Sequence, residues 1–176
     1  MADAILPPAT ARHRCAYRRR LHAQRLSDLV NFLPDATFAI ELEGKVIAWN
    51  KAMEEMTGVK NSSVMGEGDH IYALPFFGKK QDLLLDLVLQ ENNEIEEKYP
   101  SVIHQDNKLI AEREFPMLYG GKGAYLWFIA SPLYDANGNI TGAIQVIRDI
   151  TENKRMEQSL KESEEQYRSL FVSSQD

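Results

Sequence analysis

The stretch NGNITGAIQVIRDITENKRMEQSLKESEEQYRSL, from Asn137 to Leu170, changes from a strand pattern to a helix pattern without a break. Asn137-Gly138 is a strong signal for a hairpin turn, and the β-branched residues that follow predict a strand. Beyond Asp149, a mostly apolar set of residues recurs at alternating spacings of three and four, as in a helix. Neither glycine nor proline separates the two patterns, so the strand and the helix are predicted to be joined without a hinge.

The join itself is the tetrapeptide DITE, from Asp149 to Glu152. It predicts a capping box, in which the carboxylate of Asp149 accepts hydrogen bonds from the first free N–H groups of the helix. We therefore assign Asp149, Ile150 and Thr151 as a signal relay. A small shift of the sheet should tilt or rotate the helix, because no flexible linker absorbs the motion.

The helix carries one weak seam at the a and d spacing of a coiled coil. Its members are Asn153, Met156, Leu160, Ser163, Tyr167 and Leu170. The polar members Asn153 and Ser163 suit a joint that adopts two registers. The seam predicts a homodimer formed through the flanking helices, and the alternative is an ordinary surface helix that packs on its own domain.

Earlier in the chain, four more strand patterns and several helices are predicted. TFAIELEGKVIAWN (residues 37–50) indicates a hairpin that turns at Glu43-Gly44, followed by a helix that Asn50 caps and Gly58 ends. GKKQDLLLDLVLQENNEIEEKY (residues 78–99) indicates a long helix buried on most sides. LIAEREFPML (residues 109–118) and AYLWFIASPLYD (residues 124–135) indicate two long strands.

This order predicts an α+β fold, with a five-stranded antiparallel sheet and helices across one face. In the last two strands both alternating sets are largely apolar, so both faces of the sheet should be covered. The stripe formed by Leu26, Leu29, Val30 and Leu33 predicts an N-terminal helix that covers the second face. The space between the sheet and the other helices is the natural place for a ligand.

The composition is that of a globular chain with an acidic body. Its 176 residues have a net charge of −6, yet residues 1–25 hold six arginines and one acid, which leaves the remainder near −11. An acidic body argues against nucleic acid as a partner. We interpret the arginine cluster as a solvated helix face rather than a membrane or nucleic-acid contact. No apolar run suits membrane insertion, and the N-terminal stretch MADAILPPATARHRC lacks the apolar run of a secretory signal, so a cytoplasmic location is predicted.

Two motifs carry a resemblance to a known family. LPDATFAIELEGKVIAWNKAMEEMTGV (residues 33–59) holds a hairpin that ends in Trp-Asn, then a helix and Thr-Gly. SPLYDANGNITGAIQVIRDIT (residues 131–151) holds a hairpin turn, a last strand and Asp-Ile-Thr. Together they resemble a PAS domain, the sensory module of histidine kinases and related receptors, over about residues 27–151. SEEQYRSLF (residues 163–171) resembles the opening of a second PAS domain, which implies a multi-PAS sensor of a two-component system.

The resemblance implies a division of the chain into four parts. We predict a disordered tail at residues 1–16, an N-terminal flanking helix at 17–33, a PAS sensory domain at 34–151 and a coiled-coil linker helix at 152–176. A further PAS domain or a kinase domain is expected downstream. No nucleophile–base pair, phosphoacceptor motif or nucleotide-binding loop is present in the sequence, so no catalytic residue is assigned and this fragment is not expected to be an enzyme.

The same resemblance narrows the choice of cofactor. PAS domains that form a flavin–cysteine bond carry the cysteine in the helical layer, whereas the single cysteine here, Cys15, lies in the N-terminal tail. A thioester-linked cinnamoyl chromophore is disfavoured for the same reason. Haem-binding relatives use a histidine on the long helix, which has none here. His70 and His104 have no second ligand at a useful spacing, so no metal site is predicted.

Two hypotheses remain for the signal that the domain receives. Either the domain binds a small organic molecule non-covalently, or it is empty and only dimerises and relays strain within a tandem array. The predicted lining of a ligand pocket is apolar, with three polar anchors. The apolar members are Phe38, Ile40, Met53, Met56, Leu84, Leu87, Val88, Trp127, Ile129, Ile144 and Val146, and the polar anchors are His70, Tyr72 and His104. The alternative interpretation of the apolar members is ordinary core packing.

Overall fold

One antiparallel sheet organises the protein. The computed structural model describes Arg25, residues 27–90, Tyr99 and residues 101–173, the last three by their backbone alone. The strands are β1 (Ala36–Glu41), β2 (Val46–Trp49), β3 (Ile103–Gln105), β4 (Lys108–Phe115), β5 (Ala124–Tyr134) and β6 (Ile140–Asp149). They lie in the order β2-β1-β6-β5-β4-β3, so the first and last strands of the domain pair with each other.

Along the chain, most of the helices lie between the strand pair β1–β2 and the strands β3 to β6. They are α1 (Lys51–Thr57), α2 (Asn61–Val64), α3 (Leu74–Phe77), α4 (Leu84–Leu89), α5 (Leu118–Gly121) and α6 (Thr151–Ser173), with a 3-10 turn at Ile71–Ala73. Of these, α4 packs across β4, β5 and β6. The predicted α+β fold is therefore confirmed. The sheet has six strands rather than five because a short edge strand, β3, pairs with β4 across a tight turn at Asp106, where φ is 53°.

The first hairpin and its helix form as predicted. Gly44 has a φ of 77° at the turn between β1 and β2, a conformation that glycine adopts without steric cost. The side chain of Asn50 accepts a hydrogen bond from the Met53 N–H at 2.9 Å and so caps α1. Gly58 ends this helix with a φ of 74°.

The strand register separates two faces of the sheet. The inner face lies under the helices and includes Phe38 and Gln145, which oppose each other and are buried. The outer face carries the alternate residues, because successive side chains of a strand point to opposite sides. Four residues that we expected beneath the helices lie on this outer face and are only partly buried: Trp127, Ile129, Ile144 and Val146.

The long helix predicted over residues 78–99 is much shorter in its described part. It begins at Leu84 and ends at Leu89, and the backbone of Gln90 is already extended, with φ −100° and ψ 127°. Leu83 is extended as well, and its N–H donates to Asp86 Oδ2 at 2.7 Å, which fixes the start of α4. Leu83, Leu84 and Leu85 are all buried. A helix with a single buried stripe cannot bury three consecutive residues. Residues 91–98 lie outside the described part.

The N-terminal helix was expected to cover the second face of the sheet. Its described residues, Arg25 and 27–32, instead lie beside β2 and α2. Asn50 Nδ2 donates to the carbonyl oxygens of Val30 and Leu33, at 3.3 and 3.4 Å. Phe32 is 88% exposed, so this part of the helix does not cover the outer face. The predicted tail at residues 1–16 lies outside the described residues.

The last strand passes directly into the last helix. β6 ends at Asp149 and α6 begins at Thr151, with Ile150 as the single residue between them. This confirms that the strand and the helix are joined without a linker. No helix among the described residues is long and apolar enough to cross a membrane.

Candidate functional site

The junction of β5, β6 and α6 is the best-defined candidate site. Tyr125 on β5 pairs with the outgoing chain through both of its backbone groups. Its carbonyl accepts the Ile150 N–H at 2.8 Å, and its N–H donates to Thr151 Oγ1 at 2.8 Å. The hydrogen bonds of the sheet therefore continue into the first residue of α6.

Asp149 stabilises the start of this helix, as the capping motif predicted. Its Oδ1 accepts the Thr151 N–H at 2.9 Å and also the Thr151 hydroxyl. A carboxylate at this place also interacts favourably with the positive end of the helix dipole. The Tyr119 side chain, on α5, lies next to the same carboxylate. Burial raises the pKa of Tyr119 to about 12, and the negative charge of Asp149 acts in the same direction.

A second connection ties the first turn of α6 to β4. Lys154 Nζ lies 2.8 Å from Glu112 Oε2 and 5.4 Å from the ring centroid of Tyr125. The hydrogen bond with Glu112 raises the pKa of Lys154. Glu112 and Tyr125 both belong to the outer face of the sheet. The helix is therefore held on that face by one turn of contacts before it leaves the domain.

The segment that enters the domain is attached close to the one that leaves it. Asp35, which precedes β1, accepts two hydrogen bonds from Arg148, from Nε at 3.1 Å and from Nη2 at 2.6 Å. Arg148 is the neighbour of Asp149 and also lies 5.7 Å from the ring centroid of Trp127. Asn50 Nδ2 donates to the Asp35 carbonyl at 2.9 Å. The two ends of the domain thus meet at consecutive residues of β6.

Within the described residues, buried side chains occupy the space between the inner face and the helices. Of the predicted lining, the fully buried members are Phe38, Ile40, Met53, Tyr72, Leu84 and Leu87. The Phe38 ring packs against Trp49 and Tyr72, with centroids 5.6 and 5.5 Å apart. Met56 and Val88 are partly buried at the edge of this core. His104 is exposed on β3 and lies apart from His70 and Tyr72, in a surface groove shared with Tyr134 and Ile140.

Gln145 is the residue of the inner face that sequence reasoning missed. It is 2% exposed, and its Oε1 accepts the Leu85 N–H at 3.0 Å, which links α4 to β6. A polar side chain between the apolar Ala143 and Ile147 on a buried strand is a signal that would have found it. Because buried polar groups require partners, such a residue marks a specific contact rather than general packing.

A polar cluster lies at the edge of the helical layer. His70 Nε2 is 3.0 Å from Asp82 Oδ1 and 3.6 Å from Asp86 Oδ1. The Tyr72 hydroxyl donates to Asp86 Oδ1. Burial raises the pKa of Asp86, which the hydrogen bonds from Tyr72 and the Leu83 N–H oppose. Burial and the nearby Asp86 charge raise the pKa of Tyr72. The sequence showed no second ligand near His70, whereas folding brings two carboxylates to it.

Comparison with known proteins gives the family. The sequence pattern of the family described as "PAS fold" matches residues 30–155. The chain belongs to the PAS family. The matched range nearly coincides with residues 27–151, the range over which the two sequence motifs indicated the resemblance. No curated protein matches the chain with significant sequence similarity.

Solved structures show the same fold at low sequence identity. The PAS domain of Bordetella pertussis BvgS is 18% identical with a TM-score of 0.51, and the match covers 82% of this chain and 98% of that one. An RNA-binding light-oxygen-voltage receptor is 16% identical with a TM-score of 0.55, over 95% of this chain and 42% of that one. The phage VqmA–DPO complex is 21% identical with a TM-score of 0.51, over 84% and 62%. The last two proteins extend well beyond the part that this PAS chain matches.

Proposed function

We propose that this PAS domain is a sensory module of a signal-transduction receptor and that it passes a conformational change to α6. One observation carries the proposal: the hydrogen bonds of β5 continue without interruption into the first turn of α6, through Ile150 and Thr151. A displacement of β5 relative to β6 must then either move α6 or break these bonds. The relay consists of Asp149, Ile150 and Thr151.

The parent protein that we propose is a sensor histidine kinase or a related receptor with several PAS domains. The resemblance of SEEQYRSLF to the start of another PAS domain supports this, and a PAS domain or kinase domain would follow α6. Residues 34–151 would form the sensory part, and residues 152–176 the linker helix. The proposed location is cytoplasmic, and the fragment itself would carry no catalysis.

We also propose a homodimer formed through the flanking helices. Met156, Leu160, Tyr167 and Leu170 are between 57% and 67% exposed on α6, and they recur at the coiled-coil spacing. In the N-terminal helix Leu29 and Phe32 are exposed as well. A second copy would cover both stripes. Leu160→Asp should convert the dimer to a monomer in analytical ultracentrifugation, whereas Lys161→Glu, beside the stripe, should not.

Two inputs remain candidates. The first is a small molecule held non-covalently; one of the similar solved structures is a complex of phage VqmA with DPO. The second is strain from a neighbouring domain, with no ligand at all. The packing of Phe38, Tyr72 and Leu84, each 0% exposed, favours the second, because a ligand between the sheet and the helices would have to displace core side chains. Mass spectrometry of molecules released from the purified chain, together with a thermal-shift screen of metabolites, separates the two inputs.

A chimeric sensor kinase tests the relay itself. This chain would replace the sensor module of a histidine kinase, and Gln145→Leu would perturb the sheet. We expect this substitution to change the autophosphorylation rate while α6 is continuous, and to have no effect once two glycines follow Thr151. Two glycines between Asn137 and Gly138, in the distal hairpin, serve as the control and should preserve the response. An equal response with and without the insertion after Thr151 would refute the relay.

A further inference from the structure

The cluster of His70, Asp82 and Asp86 has the composition and spacing of a metal site. Among the residues that the structure describes, this is the one group in which three His, Cys, Asp or Glu side chains bring ligand atoms within 4.8 Å of one another. With metal–ligand bonds of about 2.1 Å, neighbouring ligand atoms lie about 3.0 Å apart in an octahedral site and about 3.4 Å apart in a tetrahedral one. The imidazole nitrogen lies 3.0 and 3.6 Å from the two carboxylate oxygens, which fits these separations.

The charges of the cluster are those of a cation site. The two carboxylates supply negative charge that attracts a divalent ion, and the imidazole supplies a nitrogen ligand. The neighbouring acid, Asp69, is already paired with Lys80, whose Nζ lies 2.5 Å from its Oδ2. The lysine charge is therefore directed to Asp69 rather than to the cluster.

The contacts around the cluster orient its most buried member. The Asp86 side chain is 7% exposed. Its Oδ1 accepts the Tyr72 hydroxyl and its Oδ2 accepts the Leu83 N–H at 2.7 Å. Hydrogen bonds of this kind hold the ligands of protein metal sites in position. The side chains of His70 and Asp82 are 38% and 26% exposed, so an ion can reach the cluster from solvent.

From this geometry we propose that His70, Asp82 and Asp86 bind a divalent transition-metal ion such as Zn²⁺. The mixture of one imidazole and two carboxylates suits such an ion better than Mg²⁺, which prefers oxygen ligands alone. Three protein ligands leave at least one coordination position for water or for an oxygen atom of a small ligand. The ion would join the loop at His70 to the start of α4.

The site is connected to the signalling junction. Leu85 lies in the N-terminal turn of α4 that Asp86 fixes, and its N–H donates to Gln145 on β6 at 3.0 Å. β6 ends at Asp149, which holds the start of α6. An ion that shifts α4 would therefore act on β6 and α6. This second step rests on the proposed function, whereas the binding of the ion does not.

Isothermal titration calorimetry with Zn²⁺ tests the site. Every protein would carry His13→Gln, Cys15→Ser and His22→Gln, so that ligands of the N-terminal segment do not contribute. We expect one Zn²⁺ per chain, a melting temperature that rises with Zn²⁺ concentration, and a Kd at least about tenfold higher in His70→Asn and in Asp82→Asn. Asparagine tolerates the left-handed backbone of His70, whose φ is 55°, so the first variant should fold normally.

Two matched controls make the same chemical changes elsewhere. His104→Asn replaces an exposed histidine on β3, and Asp106→Asn replaces an exposed aspartate in the adjacent turn. Both should bind Zn²⁺ with a Kd within twofold of the parent. The proposal is overturned by absence of Zn²⁺ uptake, by tighter binding of Mg²⁺ than of Zn²⁺, or by an equal loss in all four variants, which would mean adventitious surface binding. Failure of the kinase relay would leave these binding results unchanged, so the two proposals fail separately.

Discussion

The inner and outer faces of the sheet differ in the parts of the chain that they contact. The buried residues of the inner face are apolar except Gln145, which accepts a hydrogen bond from the backbone of α4. The outer face is partly exposed and carries the contacts with both flanking segments. Arg148 on this face binds Asp35 before β1, and Glu112 binds Lys154 in α6. The inner face therefore stabilises the domain, whereas the outer face connects it to what precedes and follows it.

The largest expected difference between the faces concerns two side chains of equal size on β5. Leu126 is fully buried on the inner face, and Ile129 is partly buried on the outer face. Leu126→Ala should lower the free energy of unfolding by about 3–4 kcal/mol through the lost burial and the cavity. Ile129→Ala should cost roughly half as much, because solvent already reaches the site. Urea denaturation measures both, and equal losses would contradict the division of the faces.

The next prediction concerns the polar link of the inner face. Gln145→Leu leaves the Leu85 N–H without its acceptor in a buried place, which should cost about 1–3 kcal/mol of unfolding free energy. The matched control is Gln158→Leu on the exposed surface of α6, where the side chain bonds only to Glu162. This change should stay within about 0.5 kcal/mol. A control as harmful as Gln145→Leu would show that the buried contact has no special weight.

A smaller effect is expected at the junction on the outer face. Thr151→Val keeps the shape of the side chain but removes the hydroxyl that accepts the Tyr125 N–H, at a cost of about 1 kcal/mol. Hydrogen exchange of the Tyr125 amide and of the first turn of α6 should accelerate, while exchange in β1 should not. Thr141→Val, whose hydroxyl bonds Leu133 at the exposed end of β6, is the control. Unchanged exchange at Tyr125 would mean that the junction does not depend on this bond.

The smallest expected effect depends on pH and concerns Tyr119. Its pKa is raised from 10 to about 12 by burial and by Asp149. A raised pKa means that the contact contributes full stability below about pH 10 and loses it as the pH rises toward about 12. The difference in unfolding free energy between the natural chain and Tyr119→Phe should therefore shrink from pH 9 to pH 12. A constant difference would show that the phenol and Asp149 are not coupled.

Much of the fold was predictable because its signals are local. The turn at Gly44, the cap at Asn50, the end of α1 at Gly58 and the join at Asp149 each depend on residues within a few positions of one another. The predicted strands agree with β4, β5 and β6 to within a few residues. The prediction of a long helix over residues 78–99 was wrong at its start, because a run of leucines indicates burial without indicating the backbone conformation. The side chain of Asp86 sets where α4 begins.

The candidate sites were less predictable because they join distant parts of the chain. Alternation along β5 showed two apolar faces but not which one lies beneath the helices, so Trp127 and Ile129 were placed on the wrong side. The sequence shows no second metal ligand at a useful spacing from His70, since Asp82 and Asp86 reach it only when α4 packs beside the loop. The spacing of residues within one segment cannot predict a contact between separate segments.

Local signals in the sequence predicted the first hairpin, the three long strands β4, β5 and β6 and the direct passage from β6 into α6, because backbone propensity, caps and turns act over short distances. Tertiary packing sets which face of the sheet is buried, brings Gln145 to Leu85 from 60 residues away, and brings one histidine and two carboxylates together. Those outcomes depend on how whole elements pack, and packing is a property of the assembled layers rather than of any one segment.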